Sequence, residues 1–106
     1  MEFESLTAEI KAFVSERDWH QFHTAENLAK SISIESAELL ELFQWSGDAK
    51  IEDLADELAD VMTYCLLLAD TSNLDIASIV RAKLAQTELK YPVAKSKGKS
   101  TKYDRL

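Results

Sequence analysis

Residues 35–60 read ESAELLELFQWSGDAKIEDLADELAD, and this stretch decides the fold. Glu35 and Glu38 lie three apart, as do Glu57 and Asp60, and the two pairs are equidistant from one midpoint. Near that midpoint stands Ser46-Gly47-Asp48, with Gly47 placed to adopt the left-handed backbone common at helix ends. In an antiparallel helical hairpin, residues equally far from the turn sit level. The spacing therefore predicts two carboxylates from each helix converging on one spot. Four ionised carboxylates repel one another unless a cation joins them, and an all-oxygen donor set selects Mg2+ or Mn2+.

Outward from this stretch the chain reads as all helical. It has only two glycines and one proline, and no Val/Ile/Thr-rich alternating segment. A first helix is expected from about Ser5 to Arg17, with Leu6, Ile10, Phe13 and Val14 on one stripe. An aromatic loop, Asp18-Trp19-His20-Gln21-Phe22-His23, follows. Thr24 is the expected N-cap of the second helix, with Asn27 completing part of a capping box, and that helix is expected to continue to about Trp45. The third runs from about Ile51 to Asp70 and is broken by Ser72-Asn73. Asp75 caps a fourth, which Pro92 ends after Lys90. We expect one all-α domain over residues 1–92, four-helix bundle-like, and a flexible basic tail over 93–106.

The acids do not sit where solvated acids belong. At about 100° per residue, Leu28, Ile32, Leu39, Leu42 and Phe43 share one arc of the second helix. Glu35 falls inside that arc and Glu38 at its border, between Leu42 and Trp45. On the third helix Glu57 lies between Leu68 and Tyr64, and Asp60 between Tyr64 and Leu67. An acid on an apolar arc is costly unless it is paired or metal-bound. Lys30, the one basic residue of the second helix, is about two turns from Glu38, so no internal counter-charge balances the four. The second half of the third helix, VMTYCLLLA, is apolar almost all round, so both its faces are expected to be covered, one of them by a partner copy.

Bulk composition narrows the classes. A chain of 106 residues with 46% hydrophobic content is one globular domain at most, and its modest core favours self-association. A net charge of −7 opposes nucleic-acid binding through a broad basic surface. The single cysteine, Cys65, excludes an intrachain disulfide and sits in an apolar run as a small core residue. No stretch has the ~20 apolar residues of a membrane span, and the acidic MEFESLTAEI start lacks a signal region, so a cytoplasmic setting is expected. Helical di-iron oxidase sites place Glu-x-x-His beside their carboxylates. Here both pairs are all-oxygen, and His20 and His23 lie in a loop outside them.

The stretch RDWHQFHTAENLAKSISIESAELLELFQW, then ELADVMTY and KYP, resembles the all-α nucleoside triphosphate pyrophosphohydrolases of the MazG-like family. Within that family it is most similar to the dCTP pyrophosphatase branch, over about Glu16 to Pro92. The resemblance implies hydrolysis of a (deoxy)nucleoside triphosphate, dCTP foremost, to the monophosphate and pyrophosphate. It further implies Mg2+ held by Glu35, Glu38, Glu57 and Asp60, and assembly as a homodimer or homotetramer. By position, Trp19, Trp45 and Tyr64 match residues lining the base pocket, and Phe22 and His23 belong to the same upstream motif. Lys83, Lys90 and Tyr91 match the segment that closes on the phosphates. Two positions depart from the pattern. Ile34 stands where many members carry a further acid, which the dCTPase-like branch also lacks, and Thr87 stands where an Asn is common.

The expected chemistry follows. Glu38, with Glu35 beside it, is the candidate to take a proton from the attacking water. Trp19, in a polar loop, and Trp45, at a helix end, read by themselves as core aromatics or as stacking partners, and the resemblance turns the expectation to stacking on a planar base. The lysines at 95, 97, 99 and 102 read as a solvated tail rather than a phosphate clamp. The rival from another class is a non-catalytic, metal-stabilised helical interaction module.

Overall fold

The computed structural model describes residues 2–106, and every described element is helical. The α-helices are α1 (Glu2–Glu16), α2 (Ala25–Glu41), α3 (Ile51–Thr71), α4 (Ile76–Lys90) and α5 (Val93–Ser96). Single 3-10 turns form at His20–Phe22 and Tyr103–Arg105. Backbone packing divides the chain into two units, the first running to Leu74 and the second from Asp75 to Leu106.

In the first unit α2 and α3 form the expected hairpin, and α1 packs on α3. Val14 of α1, Leu28 of α2 and Leu67 of α3 meet in its core, with Ile10, Tyr64 and Leu68 packed against them. Leu28 is only 1% exposed. Truncating a fully buried leucine removes its transfer energy and leaves a cavity. Leu28→Ala is therefore expected to cost ~3 kcal/mol and to lower the melting temperature by roughly 10–20 °C, read by thermal denaturation.

Local chemistry sets the helix limits. α1 begins at Glu2, earlier than its periodicity indicates, and Glu2 and Glu4 in its first turn complement the positive end of the helix dipole. It ends in a Schellman motif. The N–H of Trp19 donates to the carbonyl of Val14 (3.1 Å) and that of Asp18 to Ser15 (3.0 Å), while Asp18 takes φ 55°. The end of α3 repeats the device. Leu74 N–H donates to Ala69 (2.8 Å) and Asn73 N–H to Asp70 (3.1 Å), with Asn73 at φ 56°. Thr24 caps α2 as expected, its hydroxyl oxygen accepting from the Asn27 N–H at 3.1 Å. Asn27 reaches back to the Phe22 carbonyl (3.0 Å) and ties the aromatic loop to the helix.

The end of α2 differs from expectation. The helix stops at Glu41, not near Trp45, because the amides of Leu42, Phe43 and Gln44 donate to carbonyls three residues back and tighten the backbone. Gly47 does not take a positive φ; among the glycines only Gly98 does.

In the second unit Asp75 caps α4. Its Oδ2 accepts from the N–H (2.9 Å) and the hydroxyl (2.7 Å) of Ser78, and these bonds hold its carboxyl below the usual range. After Pro92 comes the single turn of α5. Gly98, at φ 78°, then reverses the chain toward the turn at Tyr103–Arg105.

Candidate metal centre

Glu35 and Glu38 occupy successive turns of one face of α2, and Glu57 and Asp60 successive turns of α3, because residues three apart share a helix face. Packing of α2 on α3 brings all four together, with one oxygen from each lying within 4.8 Å of the others. Glu35 and Glu57 are half-buried, and Glu38 and Asp60 are exposed.

The electrostatics are those of a site short of a positive charge. Oε2 of Glu35 and Oε2 of Glu57 are buried without a hydrogen-bond partner. Among the described residues, the ion pairs formed by Lys11, Arg17 and Lys30 are with Asp70, Glu16 and Glu26, none of them a member of the cluster. The Glu35 carboxyl is pushed from 4.5 up to about 7. Its hydrogen bond with Glu38 is the main cause, followed by burial and the charges of Glu38, Asp60 and Glu57. Burial raises Glu57 too, reinforced by the charges of Glu38 and Asp60. Without a cation the cluster relieves its repulsion by keeping a proton. Orphaned buried oxygens in an all-carboxylate set fit a divalent cation, which these four residues would hold and which would supply the missing positive charge.

The remaining candidates fall into separate environments. Tyr64 is one helical turn beyond Asp60 and packs on the core of the first unit. Trp19 meets Phe13 edge to face at 5.8 Å, with the Arg17 guanidinium 3.7 Å from the Phe13 ring and 6.0 Å from that of Trp19. Phe22 stays exposed in the same loop. His23 and His20 face a cavity of about 300 Å³ between α1 and α3, whose wall includes Lys11 and Asp70, paired at 3.5 Å. Trp45, in the turn after α2, is 90% exposed. Lys83, Lys90 and Tyr91 belong to the second unit. Phe13 and Arg17 are contacts of Trp19 that sequence reasoning missed, though Phe13 and Arg17 four apart on one helix face were a readable signal.

The model of the MazG-like family matches residues 30–106. The chain belongs to the MazG-like family. The match takes in both acidic pairs and runs through Leu106, so the basic segment after Pro92 lies inside the family pattern, where sequence reading had not placed it. This MazG-like chain is 38% identical to dCTP pyrophosphatase 1 of Rattus norvegicus and 35% identical to dCTP pyrophosphatase 1 of Homo sapiens, each over 89% of the chain. It spans 61% of the length of each of these relatives. It also superposes on the crystal structure of a pyrophosphatase from Archaeoglobus fulgidus with a TM-score of 0.82 and 37% identity. That superposition covers 87% of this MazG-like chain and 94% of the other.

Proposed function

We propose that this chain hydrolyses nucleoside triphosphates to the monophosphate and pyrophosphate in the presence of Mg2+, with dCTP as the preferred substrate. The observation that carries this reading is the convergence of Glu35, Glu38, Glu57 and Asp60, with two orphaned buried oxygens, in a chain similar to dCTP pyrophosphatases. A triphosphate is repelled by four bare carboxylates. Mg2+ held by these residues supplies the charge neutralisation and the Lewis acidity that phosphoryl chemistry needs.

The chain's own residues supply the rest. Water adds to phosphorus as the α–β bridging P–O bond breaks, and pyrophosphate leaves with that oxygen. The water proton goes to a carboxylate oxygen, for which Glu38 is the candidate. It is exposed and stands beside Glu35 in the cluster. Trp19, Phe22, His23, Trp45 and Tyr64 are assigned to the nucleoside, and Lys83, Lys90 and Tyr91 to the phosphates, on the strength of the family resemblance.

Apolar side chains left open on the hairpin support self-association. Ile34 is 60% exposed, Leu40 70% and Leu58 50%. A homodimer or homotetramer covers such side chains. Among the described residues no helix is long and apolar enough to cross a membrane.

The deciding experiment is pyrophosphate release from a panel of deoxynucleoside triphosphates with and without Mg2+. Release from dCTP above the other substrates, abolished by chelation, is the expected result. A folded, metal-binding protein that releases none from any substrate would establish the interaction-module reading instead. Stacking of a base on tryptophan is worth ~1–3 kcal/mol. Trp19→Ala is accordingly expected to raise KM about tenfold or more, measured by initial rates over a dCTP titration.

A further inference from the structure

The second unit carries a contact that none of the roles above uses. Half of the chain's twelve Lys and Arg residues, Lys90 among them, fall within 90–106, where Asp104 is the only acid. A segment so charged and so poor in apolar residues has little to hold it in place. Two backbone devices nevertheless bring its far end home. Pro92 stops α4, and Gly98, at φ 78°, turns the chain in a conformation glycine adopts without strain. Tyr103 thereby returns to the end of α4 twelve residues after Tyr91. Its ring meets Tyr91 edge to face at 6.0 Å, and the Lys90 Nζ stands 4.6 Å from its centroid.

We propose that Tyr103 is a positioning residue for substrate binding: its ring closes the basic segment onto the end of α4 and holds the Lys90 ammonium ready for a phosphate of the nucleotide. The proposal rests on the assignment of Lys90 to the phosphates made above. A lysine on a free four-carbon stem loses rotamer freedom when it grips an anion. A ring already holding the ammonium removes part of that loss before the nucleotide arrives. A cation over a ring face uses the ring's quadrupole rather than a lone pair, so the ammonium keeps N–H donors for phosphate oxygens. The adjoining Tyr91–Tyr103 contact fixes the ring itself, and therefore the place where the ammonium rests.

The test compares Tyr103→Leu, Tyr103→Phe and Lys90→Ala in the full chain. Initial rates are measured with dCTP and Mg2+, and the Lys90 side-chain methylene resonances are followed by NMR in the free protein. A contact of this kind at a part-exposed site corresponds to a factor of about two to five in binding. Y103L is expected to raise KM about two- to fivefold with kcat unchanged and to abolish the upfield ring-current shift of the Lys90 methylenes. Y103F, which keeps the ring, restores both. K90A raises KM at least as much as Y103L. Unshifted Lys90 resonances in the wild-type protein overturn the proposal. So does a wild-type KM in Y103L beside a raised KM in K90A, which leaves the phosphate role of Lys90 standing. A wild-type KM in K90A, with the ring-current shift present, removes that phosphate role and the positioning role with it.

Discussion

Replacing Glu57 by Gln is expected to abolish turnover while making the metal-free protein more resistant to heat. The two effects have one origin. Oε2 of Glu57 is buried without a partner, and its carboxyl is raised by burial and by the charges of Glu38 and Asp60. An amide of nearly the same shape removes one charge from a cluster of four and ends that repulsion, so the apo melting temperature rises by a few degrees. The same change removes an anionic donor from the proposed metal site. Outer-shell partners of metal ligands already cost 10–100-fold in affinity or activity, so loss of a direct ligand is expected to lower kcat/KM by more than ~100-fold. Differential scanning fluorimetry in EDTA, beside pyrophosphate release in Mg2+, reads both sides. A variant that is inactive and also less stable without metal would show that Glu57 serves the hairpin's packing instead. Gains in stability at the expense of activity are the usual mark of a strained functional site.

Stripping the metal is expected to produce the second large effect, and its size should depend on pH. Glu35 ionises near 7 in the folded protein against an ordinary 4.5, and Glu57 is raised as well. Between these values the folded chain binds more protons than the unfolded chain, so its stability falls as pH rises. The proton's contribution is complete below about pH 4.5 and lost by the time pH has passed about 7. Metal-free protein should therefore melt at progressively lower temperature between pH 5 and pH 8. In the proposed function Mg2+ would compete with that proton, and it is expected to bind best where the proton has gone. At a hundredfold excess over its Kd it adds ~2.7 kcal/mol, a shift on the order of 10 °C for a domain of this size. The gap between melting curves with Mg2+ and with EDTA is expected to widen from acid to mildly alkaline pH. A gap that stays constant, or narrows, would place the bound cation away from Glu35 and Glu57.

Much of the hairpin was legible in the sequence because two periodicities coincide there. Acids three apart must share a helix face, and mirrored spacing about a breaker must bring two such faces level. Thr24 and Asp75 were legible as caps because a side-chain oxygen two or three bonds from Cα reaches an amide three residues on. The end of α2 was not. Leu42 and Phe43 continue the apolar stripe, but Phe43 is 40% exposed and Trp45 90%, so too little packing holds a last turn in place, and short hydrogen bonds close the helix early. Of the candidate site, the carboxylate cluster was legible as a geometric prediction. The surroundings of Trp19 and the return of Tyr103 to Lys90 were not, since both depend on where a loop turns rather than on a repeat along a helix.

The left-handed residue that closes α1 has a bearing on everything after it. Asp18 tolerates φ 55° where a branched side chain would resist, and its carboxylate and carbonyl both accept from the Gln21 amide, at 3.1 and 2.9 Å. One short acid thus acts as the rudder at the entrance of the aromatic loop, setting the direction in which the chain leaves α1 toward Trp19, Phe22 and His23.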